Sequence, residues 1–596
     1  MTGEYNGSET RTVSLSGVDK GGVKYLVSCK GASGGESASK RAKTAGGGES
    51  EGAEGGAEAL DHFRSSHIDR FYANHNGRMG CAVLGFETGP GGVDAVYESY
   101  KAKHPALLLG APSSYEGGEF KVVEVYAYYS GIGKTDVPDD GTVIRFVERS
   151  GKAAADDMVL PGINVLEASF DKWAVPAYFD HWVSNVVDRN QFLLTLEETL
   201  GFTPKVDFNA GVVAAGAAQI ESTVTGNTPP AHVLEALTSK AEALVNQQQV
   251  YLPINNDLGK VGHVYLYLEE IGQGIQHIAN RVEDLVSFIH RVNTLRNITG
   301  EGLAFLNIPR SYYGRLDAKN LVNDAIDHAA AEAIVAAMEE AGASDKVGTV
   351  PLDITDDAIV AAGAKIADAA LKALFTANEQ HIVKVMKTAR YNNLETLLGE
   401  HLGDDTLLRI VQNKILVDIQ GQDILYQIFT GNVMQRVTGE ESPFLEFIQR
   451  VCSEKPGPDG KPRPLKPGCG GFGIRNFLTL FLSIEVSKAM LMLDTAIAAG
   501  DARKELKARK KIAIFTEQLE QSNPILTQIS DAMTAEGEAG LERTVAGTDE
   551  ARAALDAVIA EAQASKDEGG AKLKVLSASC KDAINALDAE FADVTE

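Results

Sequence analysis

The alternation of hydrophobic and polar positions predicts strands and helices in a repeated order. Between residues 76 and 150, MGCAVLGFET, KVVEVYAYYSG and TVIRFVERSG alternate as half-buried strands do, whereas VDAVYESYKAK has the spacing of an amphipathic helix. A strand pattern in 177–185 precedes the helical RNQFLLTLEETLGF, and another in 274–282 precedes the helical EDLVSFIHRVNTL. QQVYLPIN (248–255) is a further strand pattern. We therefore predict an α+β chain built from duplicated modules.

Two stretches have a different, helical pattern. Residues 317–403 are Ala-rich with apolar residues at helical spacing, and residues 494–596 are acidic, Ala-rich and nearly free of aromatics. We expect an N-terminal domain (1–160), a second domain (161–493) that the first stretch interrupts, and a helical C-terminal tail. Residues 31–60, rich in Gly, Ser, Ala and Glu, are predicted to form a flexible loop.

Composition narrows the class of protein. With 596 residues, the chain has room for three or four domains at roughly 100–200 residues each. The 82 acidic residues exceed the 56 Lys and Arg residues by 26, which disfavours nucleic acid and anionic membranes as partners. Five cysteines without a CxxC pair argue against a thiolate zinc site and a disulfide framework.

No membrane or secretory segment is expected. The most apolar long run, Phe477 to Leu493, contains Glu485 and Lys488 and is interpreted as a buried or amphipathic helix. The N-terminus, MTGEYNGSET, has no charged region followed by an apolar stretch, so the default location is the cytoplasm.

Three polar side chains stand in otherwise apolar strand patterns. His181 and His277 occupy equivalent positions before a helix, and Glu446 lies in FLEFIQR. Two histidines and one carboxylate form the facial set that leaves open positions on Fe(II). The alternatives are also common: a strand histidine is often a hydrogen-bonded core residue, and Glu446 has a candidate ion-pair partner in Arg450.

Seven segments carry a family resemblance. DHWVSN, LPIN, GIQHIA, IPRSYYGRL, ILYQIFT, FLEFIQR and GCGGFGIRNF occur in the order seen in 4-hydroxyphenylpyruvate dioxygenases, and the chain most resembles the plant-type enzymes over most of 76–316 and 404–492. The resemblance implies vicinal-oxygen-chelate domains whose paired βαβββ modules form open barrels. It also implies one Fe(II) per subunit, bound by His181, His277 and Glu446.

The resemblance implies a substrate pocket as well. Its amides would be Asn255, Gln276, Gln427 and Asn476, and its ring-flanking residues Phe429, Phe477 and Phe472. Core packing is the alternative for the phenylalanines. The glycine-rich GCGGFG lacks the Lys-Ser/Thr of a phosphate loop, and a hinge before a lid helix fits it better.

The implied reaction converts 4-hydroxyphenylpyruvate and O2 to homogentisate and CO2, a step of tyrosine catabolism. The partners would be an aromatic 2-oxo acid, O2 and a second copy in a homodimer. One alternative is a related oxygenase that forms 4-hydroxymandelate. Another is a non-catalytic homologue that mediates protein interactions, which is motivated by departures from the family pattern at Val245, His263 and Arg475. His263 would either reach the pocket or, as we favour, lie on a strand edge.

The first module also departs from the pattern. VSLSGVDKGGVKYLVSCKG is interpreted as a strand hairpin that comes late in the family's first module, so the preceding strand and helix are expected to be missing. Because the proposed ligands lie downstream, the chemistry need not be lost.

Overall fold

The computed structural model describes residues 3–4, 10–15, 24–30, 71–151, 164–165, 178–227, 251–431, 440–452 and 470–594, apart from gaps at 72–73, 77, 79, 116–117, 129–138, 140, 216–217, 346–347, 399–401, 421–422 and 472. The chain divides into two compact units. The first comprises 1–213, 218–283 and 429–469, and the second comprises 214–217, 284–428 and 470–596. The predicted loop at 31–60, Val245 and Phe472 lie outside the described residues.

One sheet of the first unit contains the predicted N-terminal hairpin. Its elements are β2 (Thr10–Leu15), β3 (Lys24–Lys30), β4 (Gly80–Thr88), α1 (Gly92–Lys103), β5 (Ser113–Tyr115), β6 (Phe120–Tyr126) and β7 (Val143–Arg149), whereas β1 (Gly3–Glu4) and β8 (Asn164–Val165) pair separately. The strand order is β2-β3-β4-β7-β6-β5. The strands β2 and β3 pair antiparallel, while β4 and β7, the first and last strands of a βαβββ module in chain order, pair in parallel.

The second sheet of this unit repeats the module. It begins with β9 (Tyr178–Asn185), α2 (Arg189–Leu200), β10 (Thr203–Ala215), β11 (Ala218–Gly226) and β12 (Tyr251–Asp257). Again the first and last strands, β9 and β12, pair in parallel. The helix α2 begins at Asp188, which accepts a hydrogen bond from the Gln191 N–H, and ends at Gly201 in the left-handed conformation.

A third set of elements follows in the same chain order. After α3 (His263–Glu270) come β13 (Gly274–Arg281), α4 (Leu285–Thr299), β14 (Leu416–Gln420), β15 (Asp423–Phe429) and β16 (Phe444–Val451). The strands β13 and β16 pair in parallel, and β14 and β15 form an antiparallel hairpin. These repeated βαβββ modules confirm the predicted α+β fold of the vicinal-oxygen-chelate type.

The core of the first unit lies between its two sheets. Alternation along β9 turns Trp182 toward this core, where it packs with residues such as Leu84, Phe146 and Ile254. The neighbouring polar residue on that face, Ser184, hydrogen-bonds the Tyr128 hydroxyl across 2.9 Å. The opposite face of β9 therefore carries His181 at a site away from this core.

The Ala-rich insertion is helical, as predicted. After the 3₁₀ turn Arg310–Tyr312, its helices are α5 (Ala318–Leu321), α6 (His328–Glu340), α7 (Asp356–Ala364), α8 (Ala369–Ala377), α9 (Glu379–Thr388) and α10 (Asn392–Leu398), and α11 (Asp404–Gln412) follows the insertion. They enclose an aliphatic core that includes Ile334, Met338, Ile359 and Ile382. Asp or Thr side chains cap α6, α7 and α8, so each helix has a defined start.

The C-terminal region is also helical. It comprises α12 (Ile474–Ala499), α13 (Ala502–Val545) and α14 (Asp549–Glu590). Among the described residues, the segment Arg475–Ala499 is long and apolar enough to cross a membrane by length and composition alone. However, 53% of its apolar 18-residue window is buried within the protein, and core helices pass the same test.

Candidate metal centre

Three neighbouring strands of the first unit bring His181, His277 and Glu446 together. In the β9–β13–β16 ladder, Ala279 pairs with His181 on one side and with Glu446 on the other, and His277 lies two residues earlier on the same face. Glu446 Oε2 is 3.2 Å from His181 Nε2 and 3.3 Å from His277 Nε2. All three residues are buried, and one ligand atom from each lies within 4.8 Å of the others.

Two β-bulges orient the histidines. The β9–β13 pairing skips Gln276 on one strand and Asp180 on the other, and each skipped residue directly precedes a histidine. In a regular strand, adjacent side chains point to opposite faces, so such a neighbour would turn away. Each bulge instead lets it reach the outer ring nitrogen: Asp180 Oδ1 is 2.8 Å from His181 Nδ1, and Gln276 Oε1 is 3.0 Å from His277 Nδ1.

A buried arginine completes the support of His181. Arg450 donates from Nε to Asp180 Oδ2 and from Nη2 to Asp180 Oδ1, each across 2.8 Å. Burial alone would raise the pKa of the Asp180 carboxyl group, but the charge and hydrogen bonds of Arg450, together with His181, hold that pKa well below its usual value. The anionic carboxylate therefore accepts a hydrogen bond from His181 Nδ1, so Nε2 is the ring nitrogen that would bind a cation.

The two imidazoles differ in their proton affinity. Burial lowers the pKa of both rings, but at His181 the charges of Glu446 and Asp180 outweigh burial and raise its pKa to about 9. His277 has the neutral Gln276 amide in place of a carboxylate, and there burial prevails and lowers its pKa despite Glu446. Burial would raise the pKa of Glu446, but the two histidines lower it to about 2.

This donor set fits a divalent metal ion. Two imidazole nitrogens and one carboxylate oxygen converge in a buried position, and the Nδ1 atoms are already occupied by acceptors. Such a two-histidine, one-carboxylate set leaves coordination positions open and is typical of non-haem Fe(II) oxygenases. The residues present therefore fit the iron that the sequence predicts.

Aromatic rings line the side of His277. Phe444 stacks on the imidazole with ring centroids 4.8 Å apart, and Phe429 meets it edge-on at 5.8 Å. The two phenylalanines are themselves perpendicular, with centroids 5.9 Å apart. They form an apolar wall beside the candidate metal site, a surface suited to an aromatic ligand.

Asn255 belongs to a polar row in the same sheet. It pairs in register with Ser222 and Asn185, and Asn185 follows His181 by four residues on one face of β9. The Asn255 Nδ2 group donates weakly to Asn185 Oδ1 across 3.3 Å. Among the described residues, Asn255 Oδ1, Asn185 Nδ2 and Ser222 Oγ are buried without a hydrogen-bond partner, which is costly unless water or a ligand satisfies them.

The remaining predicted site residues belong to the second unit. Asn476 Nδ2 donates to Gln427 Oε1 across 2.8 Å, and the Tyr312 hydroxyl donates to Asn476 Oδ1 across 2.9 Å. Gly473 has a left-handed φ of 60°, and a Cβ there would lie 2.9 Å from Gln427 Oε1, so glycine permits this close approach at the start of α12. Phe477 is half-buried in the first turns of α12.

One alternative and one expectation about neighbouring residues were wrong. Arg450, the candidate partner of Glu446 in the alternative interpretation, pairs with Asp180. His263 begins the helix α3 and is buried, so it does not lie on a strand edge. The supporting roles of Asp180, Arg450 and Phe444 were not predicted, although the position of Asp180 directly before His181 was a usable signal.

Comparison with known proteins gives a local match. No family model matches the chain. It is 42% identical over 101 residues to a 4-hydroxyphenylpyruvate dioxygenase of Plectranthus scutellarioides, which is 17% of this chain and 22% of the relative. It is 42% identical over 95 residues to the enzyme of Arabidopsis thaliana, covering 16% and 20% of the two chains, and 44% identical over 96 residues to that of Daucus carota, with the same coverage. The chain thus spans about a fifth of the length of the curated relatives it matches.

Solved structures give a distant match. A triple mutant of 4-hydroxymandelate synthase from Streptomyces coelicolor is 13% identical, with a TM-score of 0.41 and coverage of 80% of this chain and 87% of that one. A xylose isomerase-like TIM barrel/4-hydroxyphenylpyruvate dioxygenase fusion protein is 13% identical, with a TM-score of 0.34 and coverage of 77% and 46%. The sequence similarity over about 100 residues supports a relationship with the 4-hydroxyphenylpyruvate dioxygenases.

Proposed function

We propose that the protein is an Fe(II)-dependent dioxygenase that converts 4-hydroxyphenylpyruvate and O2 to homogentisate and CO2. The convergence of His181, His277 and Glu446 in one buried site carries the proposal. The local identity of 41–44% to enzymes of that name supports the choice of substrate.

In this proposal the three side chains hold one face of the metal ion. When bound, iron supplies the positions at which the 2-oxo acid of the substrate and O2 react. Asp180 and Gln276 accept the Nδ1 protons of His181 and His277, so both rings present Nε2 to the ion. Arg450 keeps Asp180 anionic and fixed in this role.

The chain also offers groups for the organic part of the substrate. Phe429 and Phe444, at right angles beside His277, would pack against the aromatic ring. The buried amide of Asn255 has an unsatisfied oxygen that can accept a hydrogen bond from the phenol hydroxyl group. The family resemblance alone makes Gln427, Asn476, Phe477 and Phe472 further candidates for contact with the substrate. Gln427 and Asn476 are positioned by their mutual hydrogen bond.

The test is an anaerobic reconstitution of the full chain with Fe(II), followed by oxygen uptake and product analysis. We expect one iron per chain, O2 consumption that requires 4-hydroxyphenylpyruvate, and homogentisate as the product. Glu446→Ala should lose both iron and O2 uptake, because the two remaining histidines bind the ion too weakly to retain it. Release of 4-hydroxymandelate instead would contradict the proposed reaction but not the oxygenase class. A wild-type chain that neither binds iron nor consumes O2 would contradict the proposal as a whole.

A further inference from the structure

The Ala-rich insertion is fastened to the segment that precedes it, residues 311–315, by an asparagine at the start of α10. Asn392 Oδ1 accepts a hydrogen bond from the Arg315 N–H across 3.1 Å, and Asn392 Nδ2 donates to the Arg315 carbonyl across 2.9 Å. An asparagine side chain that binds both backbone groups of one residue replaces the pair of bonds that a neighbouring strand would make. Both ends of the Asn392 amide therefore hold this segment in place.

The next asparagine and a glycine complete this clamp. Asn393 Nδ2 donates to the Ser311 carbonyl across 3.0 Å, and the Asn393 N–H donates to the Tyr313 carbonyl, also across 3.0 Å. Gly314 is buried, and a Cβ at this position would lie 2.6 Å from the Ala389 carbonyl oxygen. The segment thus lies against the insertion at a distance that only glycine permits.

The clamped segment carries Tyr312, which is fully buried. Its hydroxyl group accepts a hydrogen bond from the Val417 N–H of β14 across 2.8 Å and donates to Asn476 Oδ1 in α12 across 2.9 Å. Asn476 in turn donates from Nδ2 to Gln427 Oε1 across 2.8 Å. Because Tyr312 occupies the oxygen of the Asn476 amide, the NH2 end faces Gln427 and holds that amide in one of its two orientations.

The clamp can be weakened without disturbing the core of the insertion. Asn392 and Asn393 line a cavity of about 540 Å³ beside Arg475, whereas other side chains form the aliphatic core of the insertion. Truncating either asparagine therefore removes hydrogen bonds without opening a hole in that core.

We propose that Asn392 is a positioning residue that acts through the Tyr312 hydroxyl group on the amide of Gln427. The inference rests on the proposed function, in which Gln427 and Asn476 are candidates for contact with the substrate. The Ala-rich insertion then takes part in orienting the substrate, because its α10 holds the segment on which these amides depend. Without the clamp the segment shifts, the Tyr312 hydroxyl group moves away from Asn476, and the Gln427 amide loses its fixed orientation.

Binding of 4-hydroxyphenylpyruvate to the Co²⁺-loaded full chain, measured by calorimetry without O2, tests this role. Asn392→Ala should weaken substrate binding at least about tenfold, because a shift of about 1 Å misplaces the groups that meet the substrate. The affinity for Co²⁺ should not change, since other residues form the metal centre. The control is Asn378→Ala, which removes an amide bound to the Leu374 carbonyl elsewhere in the insertion and should change neither affinity. Wild-type substrate affinity in the folded Asn392→Ala variant would overturn the proposal.

A double-mutant cycle separates positioning from general structural support. Tyr312→Phe removes only the hydroxyl group and should weaken substrate binding to a similar extent. In the Tyr312→Phe background, Asn392→Ala should cause no further loss, because its effect passes through that hydroxyl group. Equal losses in both backgrounds would overturn the assignment. If Asn392→Ala loses the native circular dichroism spectrum, Asn393→Ala, which removes the side-chain bond to the Ser311 carbonyl, replaces it in each measurement with the same criteria.

Amide hydrogen exchange without substrate distinguishes a failure of this inference from a failure of the proposed function. Asn392→Ala should speed exchange at least about tenfold in peptides from β14 and from the first turns of α12, whereas Asn378→Ala should leave it as in the wild type. Unchanged exchange in Asn392→Ala would overturn the inference. Faster exchange, together with a wild-type chain that binds no 4-hydroxyphenylpyruvate, would contradict the proposed function and, with it, the role of the clamp in orienting that substrate.

Discussion

At the scale of single residues, the two histidines of the candidate metal centre are supported unequally. The His181 ring is hydrogen-bonded to the anionic carboxylate of Asp180, which the buried Arg450 holds in place. The His277 ring is hydrogen-bonded to the neutral amide of Gln276. A carboxylate partner makes an imidazole more basic and a stronger ligand. We therefore expect His181 to carry the proton in the metal-free protein and to bind the metal more tightly.

Asp180→Asn tests this support. The amide keeps the size of the side chain but removes the negative charge, so metal affinity should fall about 10- to 100-fold. Arg450 would remain buried without its counter-charge, which should destabilise the protein by about 3–5 kcal/mol. Metal titration and urea unfolding measure the two effects. Asp94→Asn, which removes an exposed ion pair with Lys121, is the control and should change neither; an equal loss there would contradict the assignment.

The dependence of metal affinity on pH follows from the pKa of His181. That pKa is about 9 without metal, against about 6.5 for a free histidine, so the ring is protonated at neutral pH and must lose its proton to bind a cation. Between pH 7 and 8.5, binding of Co²⁺, a redox-stable probe, should release about one proton and strengthen about tenfold per pH unit.

The same shift has a consequence for folding. Because the pKa of His181 is raised in the folded state, its contribution to stability is complete below about pH 6.5 and is lost as the pH rises through about 9.

The proton released when Co²⁺ binds is measured by calorimetry in buffers of different ionisation enthalpy. Binding of Co²⁺ without proton release at pH 7 would show that His181 is neutral there and would contradict this account.

Ala279 is the small residue between two ligands. It lies between His181 and Glu446 in the sheet and is fully buried. A larger side chain at this position would occupy the face on which the three ligands converge. Ala279→Val should therefore lower metal occupancy at least about tenfold, whereas Ala279→Gly should retain the metal. Iron content by atomic absorption distinguishes the variants, and full occupancy in Ala279→Val would contradict the placement.

At the scale of elements, alternation along the chain predicted which strands carry the site but not how they turn its side chains. The apolar strand patterns around His181, His277 and Glu446 correspond to β9, β13 and β16. Alternation alone places Asp180 and Gln276 on the opposite face from their neighbours. The two bulges turn Asp180 and Gln276 back toward the histidines. These bulges arise where β9 pairs with β13, about 90 residues away in the chain, so a local sequence pattern does not predict them.

The partner of Arg450 illustrates the same limit. Glu446 and Arg450 lie close in the sequence, which made Arg450 a candidate ion-pair partner, but four residues of strand separate their Cα atoms by about 13 Å. The sheet instead brings Asp180, 270 residues away in the chain, within 2.8 Å of the guanidinium group. Which buried carboxylate pairs with which buried cation depends on their distance in the folded structure, and their separation in the sequence says little about that distance.

At the scale of the whole molecule, the three metal-binding side chains belong to the first unit, and the Ala-rich insertion and tail belong to the second. The helical nature of both additions could be predicted from composition and spacing, because Ala-rich amphipathic helices are local structures. The cavity beside Arg475 could not be predicted, since its wall joins residues from 315 to 531. The sequence marked Arg475 only as a departure from a family pattern.

Metal binding should therefore stabilise the two units unequally. A ligand present at about 1,000 times its dissociation constant stabilises the folded state that binds it by about 4 kcal/mol. We expect added Co²⁺ to slow amide hydrogen exchange in peptides from β9, β13 and β16 far more than in peptides from α13 and α14. In the Glu446→Ala variant, which lacks one ligand, added Co²⁺ should not slow exchange in either set of peptides. Equal slowing of exchange in the strand peptides and in the helix peptides would mean that the two units unfold together. Slowing that persists in Glu446→Ala would mean that Co²⁺ binds at another site.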